Sequence, residues 1–487
     1  MTRSFPPVPV ADLAEAVGAE VRGDRAALVT EVALDSRADV EGALFCCVVG
    51  AEADGHDFAA EAVARGASAL LVERWLPLGA PQLRVPAVRR AIGPAAAAVF
   101  GEPAAALTIA AVTGTNGKTT VTYLLEAVFR RAGLRPGVIG TIGARLDGEP
   151  VPIARTTPEA PDLHRLLARM RDAGVRAVAI EVSSHALAQY RVGGLVADVA
   201  AFTNLSQDHL DFHGTIDAYF EAKASLFTPA SARRGVVNVD DPWGRRLLEA
   251  ATVPVTTYAV DADADVRATH VRADAAGVTF RVDGVAVRSP LRGRFNASNC
   301  LGALAVAREL GLDLAEAAGA VAEVGGVPGR MEPVDAGQDF LVMVDYAHTP
   351  DSILGVLRAC RPLTTGRVIV VFGCGGDRDR AKRPAMGAAA TANADLTIVT
   401  TDNPRSEDPL AIIAEIEPGA RAGGGAYVVE PDRREAIRRA VADARAGDVV
   451  VIAGKGHETT QELAGGEAVP FDDREVAREA LTARGGP

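Results

Sequence analysis

The stretch "TIAAVTGTNGKTTVTYLLEAVF", residues 108–129, decides the fold of this chain. Small and β-branched apolar residues form its first part, two glycines follow, and the remainder has the apolar spacing of a helix. A strand, a glycine turn and a helix in this order are typical of a phosphate-binding loop, because the turn and the helix N-terminus present backbone N–H groups to an anion. The stretch therefore predicts a nucleotide site.

The loop within this stretch, "GTNGKTT", supplies the groups that a triphosphate needs. We expect Lys118 to contact phosphate oxygens and the Thr119 hydroxyl to complete a magnesium shell. The common nucleoside-triphosphatase pattern has another glycine five residues before Gly117, where this chain has Val112, so the loop is a variant. A glycine turn without a ligand is the alternative. The predicted nucleotide-binding residues of the loop are Gly114, Thr115, Asn116, Gly117, Lys118, Thr119 and Thr120.

Composition is that of an ordinary multidomain protein. A length of 487 residues predicts about three domains, and 48% apolar with 23% charged residues is typical of soluble globular chains. The net charge of −12 argues against nucleic acid as the main partner. There is no apolar run long enough for a membrane span and no signal-peptide core at the start. The 5 cysteines lack metal-ligand spacing, so we expect reduced thiols in a cytoplasmic protein.

Apolar strands that end in polar loops alternate with helices over most of the chain. They include "RAVAIEVS", "VADVAAFTNLS" and "GVVNVDD", and later "FLVMVDYAH", "GRVIVVFGCGG", "DLTIVTTDNPR" and "GDVVVIAGKGHE". This pattern predicts an α/β fold with parallel sheets covered on both faces. Such sheets place ligands at the carboxyl ends of their strands. We predict domains at residues 1–103, 104–333 and 334–487.

Carboxylates and imidazoles follow the strands of the nucleotide domain. Glu181 ends one strand, and Asp208, His209, Asp211 and His213 lie in "TNLSQDHLDFHG". Such groups near a phosphate loop suit a divalent cation that bridges ATP to a second reactant. Taken singly, His209 could cap a helix and Glu181 could form a structural ion pair. Their grouping favours the metal site.

Six motifs in one order give the chain a family resemblance. "GTNGKTT", "EVSSHAL", "TNLSQDHLDFHG", "RFNASN", "GRME" and "DYAHTPD" resemble the Mur ligase family, ATP-dependent enzymes that add amino acids to UDP-N-acetylmuramoyl peptides of the cell wall. The resemblance covers nearly the whole chain. It implies an N-terminal uridine-binding α/β domain, a central parallel-sheet ATP-binding domain and a C-terminal Rossmann-like α/β domain. Folylpolyglutamate synthetases share the central plan, so the ends of the chain must distinguish the two.

The resemblance implies a reaction and its catalytic residues. In the family, the γ-phosphate of ATP passes to a substrate carboxylate, and the amine of the incoming amino acid attacks the acyl phosphate. Lys118, Glu181, His209 and Lys223 are then the expected catalytic residues. The family carries a carbamylated lysine where this chain has Lys223, so CO₂ would convert Lys223 to an anion; an ordinary surface lysine is the alternative. Two Mg²⁺ ions are expected, near Thr119, Glu181, His209 and the Lys223 carbamate.

Further ATP contacts are implied beyond the phosphate loop. "RFNASN" and "GRME" resemble the base and ribose contacts of the family, which assigns Asn296, Asn299 and Arg330 to ATP. Asp345 and His348 of "DYAHTPD" complete the site from the third domain. Because the site is complete only when that domain closes, we expect domain motion to gate turnover.

The amino-terminal pattern resembles that of the subgroup that adds the third peptide residue. The pieces "DSR" and "GHDF" carry this likeness, although "DSR" alone is a common turn. They imply UDP contacts at Ser36, Arg37, His56, Asp57 and Phe58. Further contacts to the UDP-MurNAc-dipeptide are implied at Thr156, Thr157, Ser183, Gln189 and Arg191.

The motif "DNPR" indicates which amino acid is added. It resembles the diaminopimelate-adding type, whereas lysine-adding relatives replace the arginine. The chemistry agrees, since a guanidinium can hold the distal carboxylate of diaminopimelate with two hydrogen bonds. The implied diaminopimelate contacts are Arg378, Asp402, Asn403, Pro404, Arg405, Gly454 and Glu458.

The expected protein is therefore a ligase that adds meso-diaminopimelate to the D-Glu side-chain carboxylate of UDP-MurNAc-L-Ala-D-Glu. We expect it to act as a monomer, without nucleic acid and without membrane insertion. A lysine-adding ligase, a folylpolyglutamate-type synthetase and a nucleotide-binding regulator without catalysis are the alternatives. Gln207 and Phe212 depart from the residues common in relatives, and neither touches the proposed chemistry.

Overall fold

The computed structural model describes residues 5–50 and 53–484. These residues form three successive α/β units, each with its own sheet, so the predicted fold class and three-domain architecture are confirmed. The borders after residues 103 and 333 stay predictions. Residues 1–4 and 485–487, which fall in the predicted first and third domains, lie outside the described part of the chain.

The first unit is a mixed five-stranded sheet with helices on both faces. Its elements are strands β1 (Val8–Pro9), β2 (Glu20–Arg22), β3 (Leu28–Val29), β4 (Glu31–Ala33), β5 (Ala43–Cys46), β6 (Ala69–Val72) and β7 (Gln82–Arg84), and helices α1 (Val10–Val17), α2 (Ala59–Ala64) and α3 (Val88–Val99). The order of the five-stranded sheet is β2-β7-β6-β5-β4, in which β2 is antiparallel to its neighbour β7 and the other pairs are parallel. Strands β1 and β3 pair antiparallel as a separate two-stranded sheet. Side chains alternate along β5, so Leu44 packs toward α1 and α3 whereas Phe45 packs toward α2.

The second unit contains a nine-stranded sheet and a separate three-stranded sheet. Its strands are β8 (Thr108–Thr113), β9 (Pro136–Gly140), β10 (Gly143–Leu146), β11 (Glu149–Val151), β12 (Ala177–Glu181), β13 (Ala197–Phe202), β14 (Ala232–Asn238), β15 (Val255–Ala259), β16 (Val266–Arg267), β17 (Thr269–Asp274), β18 (Gly277–Val282) and β19 (Val285–Ser289). Its helices are α4 (Lys118–Arg131), α5 (Ala160–Asp172), α6 (Ser184–Ala188), α7 (Leu210–His213), α8 (Ile216–Ala224), α9 (Pro242–Ala250), α10 (Phe295–Glu309) and α11 (Leu314–Glu323). The large sheet has the order β11-β10-β9-β12-β8-β13-β14-β15-β16.

Two hairpins in this unit differ from the parallel sheet expected from the sequence. Strands β10 and β11 pair antiparallel at one edge of the large sheet, and β17, β18 and β19 form an antiparallel sheet of their own. Asp147 and Gly148 join the first pair, Asp283 and Gly284 join β18 to β19, and all four residues have positive φ. Asp-Gly between two strands is a strong hairpin signal, which the sequence analysis left unused.

The third unit is a six-stranded sheet between two helical layers. Its strands are β20 (Glu332–Pro333), β21 (Leu341–Asp345), β22 (Val368–Phe372), β23 (Leu396–Val399), β24 (Tyr427–Val429), β25 (Val449–Ala453), β26 (Thr460–Glu462) and β27 (Ala468–Pro470), and its helices are α12 (Pro350–Cys360), α13 (Lys382–Asn393), α14 (Pro409–Gly423), α15 (Arg433–Asp443) and α16 (Asp473–Arg484). The order is β20-β21-β25-β22-β23-β24, with β20 antiparallel, while β26 and β27 form a hairpin. Short 3₁₀ turns occur at Gly55–Phe58, Pro103–Ala106, Arg361–Leu363 and Ala464–Gly466.

A cleft of about 1220 Å³ lies between the second and third units. Loops that follow β8, β12 and β13 line it from one side, and loops that follow β21, β22, β23 and β25 line it from the other. The polar loops at the carboxyl ends of these parallel strands thus line one cleft, and their role in binding ligands stays a prediction.

All five cysteines are buried, and none is paired in a disulfide. Burial raises the pKa of Cys47, Cys300, Cys360 and Cys374 to about 12. Over residues 5–50 and 53–484, none of the helices has the length and apolar character that crossing a membrane requires.

Candidate active site

Two glycines shape the phosphate loop between β8 and α4. Gly114 and Gly117 have φ angles of 149° and 87°. A Cβ at Gly114 would overlap the hydroxyl of Thr203, and one at Gly117 would overlap the side-chain oxygen of Asn299. The loop can therefore approach the end of β13 and the start of α10 only with glycine at both positions.

A half-buried lysine and a buried lysine meet at one carbonyl oxygen of this loop. Lys118 Nζ donates to Gly114 O at 2.9 Å and to Thr115 O at 2.8 Å, and Lys223 Nζ donates to the same Gly114 O at 2.8 Å. Burial lowers the pKa of both amines, and the neighbouring Lys118 charge lowers the pKa of Lys223 further, against the attraction of Asp208. This concentration of positive charge suits an anionic ligand.

Oxygen ligands for a cation lie beside the loop. The carboxylate of Glu181, at the end of β12, accepts hydrogen bonds from Thr119 Oγ1 at 3.1 Å and from the backbone and hydroxyl of Thr141 at 2.9 Å each. Glu181 is only 1% exposed. Gly140 leaves the room for it, because a Cβ there would overlap the carboxylate. Thr119 and Glu181 are thus adjacent, as two predicted metal contacts should be.

The predicted metal contact His209 lies beside Asp208 in the loop after β13. His209 Nε2 is 3.3 Å from Asp208 Oδ2, and burial lowers the pKa of His209 to about 3, so its ring is neutral. The described residues contain no cluster of three His, Cys, Asp or Glu side chains that could hold a metal by itself.

Side chains of the third unit contact Asp208 in the loop after β13. Asp208, which is 4% exposed, lies 3.2 Å from Lys382 Nζ and 3.6 Å from His348 Nε2. Burial alone would raise the pKa of Asp208, but His348 and Lys382 outweigh it and hold that pKa well below the usual range. Arg330 Nη2 donates to Thr119 Oγ1 at 3.0 Å, so the junction between the two units also touches the loop.

The remaining predicted ATP residues divide into cleft-lining and supporting positions. Asn299 lines the cleft, and Asn296 lies behind it and accepts from Asn299 Nδ2 at 2.8 Å. The guanidinium of Arg330 stacks on the ring of Tyr346, 4.5 Å from the ring centroid. Asp345 accepts from the backbone N–H groups of Met331 and Ala347 at 2.7 and 2.8 Å, which ties the junction to the end of β21.

The predicted diaminopimelate contacts surround one end of the cleft. The name amino-acid pocket is used for Arg378, Asn403, Arg405, Glu458 and Glu462, all of which line the cleft. Arg405 Nη1 donates to Gly376 O at 2.8 Å, and Arg405 Nε pairs with Glu462 Oε2 at 2.7 Å. Asn403 Nδ2 donates to Glu458 Oε2 at 2.9 Å. The pocket thus offers a guanidinium and a separate carboxylate.

Asp402 and Gly454 support this pocket from behind. Gly454 has a φ of 116°, and a Cβ there would overlap the Asp402 carboxylate. Burial would raise the pKa of Asp402, but Arg433 and Lys455 outweigh it, so that pKa is lowered. Pro404 lies in the same loop, and a Cβ on Gly376 would overlap its carbonyl oxygen. These positions fix the loop that carries Asn403 and Arg405.

Residues predicted to contact the UDP-MurNAc-dipeptide in the second unit lie near Glu181. Thr157 Oγ1 donates to Glu181 O at 2.8 Å and accepts from Ser183 N at 3.1 Å. Arg191 Nε lies 2.9 Å from Glu159 Oε1. Four of the five predicted residues line the cleft, namely Thr156, Thr157, Ser183 and Arg191; Gln189 lies beside Arg191.

The predicted UDP contacts in the first unit lie apart from this cleft. His56 is 4% exposed; its Nδ1 is 2.6 Å from Asp54 Oδ1, and its Nε2 accepts from Glu73 N at 3.0 Å. Ser36 Oγ donates to Glu61 Oε2 at 3.3 Å. Arg37 pairs with Asp35, whereas Asp57 and the 43%-exposed Phe58 face solvent. A role for these residues in binding UDP stays a prediction.

Sequence reasoning missed four residues that the structure brings to the site. Thr141 holds Glu181, Lys382 pairs with Asp208, His185 packs its ring 4.7 Å from that of His209, and Lys455 contacts Asn403 and Glu458. Lys455 lies in "GDVVVIAGKGHE", one of the strand-and-loop segments quoted above, and this position was the available signal. Lys382 begins α13. Nothing in the local sequence marks Thr141.

Comparison with known families matches nearly the whole chain. Residues 112–307 match the Mur ligase middle domain, residues 329–456 the Mur ligase, glutamate ligase domain, and residues 28–128 the Mur ligase family, catalytic domain.

Individual relatives agree with these matches. A UDP-N-acetylmuramoyl-L-alanyl-D-glutamate--2,6-diaminopimelate ligase from Streptomyces coelicolor is 48% identical over an alignment of 489 positions, gaps included. The alignment covers 97% of this chain and 96% of the relative. A protein of the same name from Geobacillus thermodenitrificans is 47% identical over 467 residues, which cover 94% of this chain and 95% of the relative. A solved structure of a ligase with this name has a TM-score of 0.70 and 36% identity and covers 100% of both chains. The resemblance predicted from the motifs is confirmed, and the chain belongs to the Mur ligase family.

Proposed function

We propose that this chain is an ATP-dependent ligase that joins diaminopimelate, the meso isomer, to the D-Glu side-chain carboxylate of UDP-MurNAc-L-Ala-D-Glu. The observation that carries the proposal is the pairing of two sites in one cleft. The phosphate loop lies on one wall, and a pocket with the guanidinium of Arg405 and the carboxylate of Glu458 lies on the other. A substrate with a distal carboxylate and a distal ammonium matches this pair of charges.

The proposed reaction has two steps. The carboxylate oxygen of D-Glu attacks the γ-phosphorus of ATP, the bond to the bridging oxygen breaks, and ADP leaves. The amine of diaminopimelate then attacks the acyl carbon, loses a proton, and expels inorganic phosphate with the acyl oxygen. Lys118 neutralises charge on the phosphoryl group, and the closed cleft holds two anionic reactants together.

Mg²⁺ has suitable ligands beside the loop. The hydroxyl of Thr119 and the carboxylate of Glu181 are hard oxygen donors 3.1 Å apart, and the neutral ring of His209 is the third candidate. When bound, Mg²⁺ supplies positive charge next to the phosphate oxygens. The chain's own residues set the geometry, because Thr141 and Arg330 orient Glu181 and Thr119 through direct hydrogen bonds.

A carbamate on Lys223 is part of this proposal. Lys223 is 1% exposed, lies 4.5 Å over the ring of Tyr219, and shares the Gly114 carbonyl with Lys118. Addition of its neutral amine to CO₂ forms an N–C bond and releases one proton, so a carbamate anion that attracts Mg²⁺ and Lys118 would take the place of the Lys223 amine. Growth of a carbamate signal in ¹³C NMR after addition of ¹³C-bicarbonate to the wild type, and its absence in Lys223→Met, is the expected result. Equal spectra would refute the carbamate alone.

Substrate entry involves all three units in this proposal. We assign the UDP moiety to the first unit and the dipeptide to the residues near Thr157 and Arg191, and we infer that the third unit closes during each turnover. The enzyme would act as a monomer in the cytoplasm.

Phosphate release from ATP tests the proposal directly. Purified protein is given UDP-MurNAc-L-Ala-D-Glu, Mg²⁺ and ATP with meso-diaminopimelate, L-lysine or neither. Release that requires meso-diaminopimelate and yields the tripeptide by mass spectrometry is the expected result. Release with L-lysine alone would indicate the lysine-adding ligase. No release with either amine, but release with a folate and glutamate, would indicate a folylpolyglutamate-type enzyme.

A further inference from the structure

Lys455 is a completely buried cation directly behind the amino-acid pocket. It follows β25 and is 0% exposed. Its ammonium donates to Asn403 Oδ1 at 2.9 Å, to Glu458 Oε2 at 2.9 Å and to the carbonyl of Thr460 at 2.7 Å. An ammonium group has three protons, so these three acceptors use all of them.

These contacts determine which way the Asn403 amide points. Lys455 Nζ and the backbone N–H of Glu462 both donate to Asn403 Oδ1, the latter at 3.0 Å. With two donors on that side, the oxygen must face them, and the Nδ2 group must face Glu458, to which it donates at 2.9 Å. Lys455, Asn403 and Glu458 therefore form a closed triangle of hydrogen bonds.

The triangle also fixes how Glu458 faces the cleft. Its Oε2 is occupied by Lys455 and by Asn403, whereas Oε1 receives no hydrogen bond from the described residues. Glu458 lines the cleft, but Lys455 is buried behind it. Oε1 is thus the oxygen presented to a ligand.

We propose that Lys455 is the positioning residue of the amino-acid pocket: it holds Asn403 and Glu458 so that one carboxylate oxygen faces the ammonium group of the incoming amino acid. The inference rests on the proposed function and adds a residue to it. Lys455 acts through its two partners and does not touch the substrate. Its loss would leave Asn403 Oδ1 and Thr460 O short of a donor and let Glu458 turn away.

The test separates the amino-acid step from the phosphate step. Lys455→Met keeps the length of the side chain and removes the charge. We expect the KM for meso-diaminopimelate to rise about 30-fold, with the KM values for ATP and UDP-MurNAc-L-Ala-D-Glu within about twofold of wild type. Hydroxylamine, a small nucleophile that needs no pocket, should still give the hydroxamate of the dipeptide at a rate within about twofold of wild type.

Two further variants distinguish positioning from general stability. Arg367→Met removes the ion pair of Arg367 with Asp448 at the amino ends of β22 and β25, away from the loop of Lys455, and should leave all three KM values within about twofold. In the double variant Lys455→Met with Glu458→Gln, the KM for meso-diaminopimelate should rise by less than the product of the two single increases, because both residues act on one contact with the amino acid.

Several outcomes would overturn the inference. One is a KM for meso-diaminopimelate within about twofold of wild type in Lys455→Met. Another is an equal rise of all three KM values. A third is a double variant whose KM for meso-diaminopimelate rises by the full product of the single increases. If Lys455→Met does not fold, Lys455→Gln, which keeps a donor, should show a smaller and equally selective rise; failure of both to fold, with Arg367→Met folded, would assign Lys455 to stability alone. Absence of hydroxamate with the wild type would instead refute the proposed function.

Discussion

The phosphate loop and the amino-acid pocket face each other across one cleft but are built differently. In the loop, Lys118 bonds to carbonyls three and four residues before it, and glycine backbone fixes the shape. In the pocket, the side chains of Asn403 and Lys455 come from separate loops, and the backbone N–H of Glu462 in β26 joins them at the Asn403 amide oxygen. The first site is local in sequence, whereas the second depends on how the third unit folds.

This difference predicts which kinetic property a substitution in each site should change. A loop held by its own backbone binds any polyphosphate, so changes there should affect the chemistry with every amino acid. A pocket held by side-chain contacts selects one ligand, so changes there should alter KM for the amino acid and leave the phosphate step intact.

The largest effect is expected for Lys118→Met. Removal of the cation that we propose contacts the phosphates should lower kcat/KM on the order of 1000-fold with any amine, hydroxylamine included. Arg131→Met, at the other end of the same helix, is the control and should stay near wild type. Loss of turnover with meso-diaminopimelate but not with hydroxylamine would contradict the assignment of Lys118 to the phosphate step.

A smaller and more selective effect is expected for Arg405→Ala. Without the guanidinium, the distal carboxylate loses a charged hydrogen-bond partner, and the KM for meso-diaminopimelate should rise about 100-fold. The KM for ATP should not change. Arg421→Ala, an exposed arginine of the same unit, serves as the control. If the two variants behave alike in steady-state assays, Arg405 does not set specificity.

Glu462→Gln should change binding in the opposite direction. Glu462 pairs with Arg405 at 2.7 Å, so its carboxylate competes with the distal carboxylate of the substrate. Its side chain is 51% exposed, which limits the effect by solvent screening. We expect the KM for meso-diaminopimelate to fall about threefold at low salt and less at high salt. A rise in KM would show that Glu462 supports the pocket instead.

The smallest expected effect is on the free energy of unfolding and involves helix α5 of the second unit. His164 on α5 is fully buried, with Nε2 2.8 Å from Gly193 O, and burial lowers its pKa from 6.5. Below pH 6.5 the unfolded chain binds a proton that the folded ring resists, so stability falls with falling pH, by no more than about 2 kcal/mol at pH 5. Urea unfolding at pH 7 and pH 5 should show a smaller pH effect for His164→Gln than for the wild type or for His270→Gln, which alters an exposed ring.

The sequence predicted the phosphate loop well because its residues are contiguous. The strand before Gly114, the helix after Gly117 and the placement of Glu181 near Thr119 were all predictable from strand ends that meet at one sheet edge. The hairpin at Asp147 and Gly148 was not predicted, although Asp-Gly between two strands is a local signal for it.

Contacts between loops distant in sequence could not be predicted in the same way. Nothing local indicates that Lys382 would lie 3.2 Å from Asp208, or that Arg405 would pair with Glu462. Such pairs depend on how the units pack. Family resemblance selected Asn403 and Glu458, but only the hydrogen-bond geometry identified Lys455 between them.

The burial of all five cysteines makes this chain suitable for site-specific labelling. Their thiols are shielded and remain protonated at neutral pH, so maleimide reagents should leave them unmodified. A single cysteine introduced at exposed Glu249 in α9 and another at exposed Arg478 in α16 would then carry a fluorophore pair. A change in energy transfer between the two dyes on addition of nucleotide would show, molecule by molecule, the proposed movement of the third unit, and an unchanged transfer would contradict it.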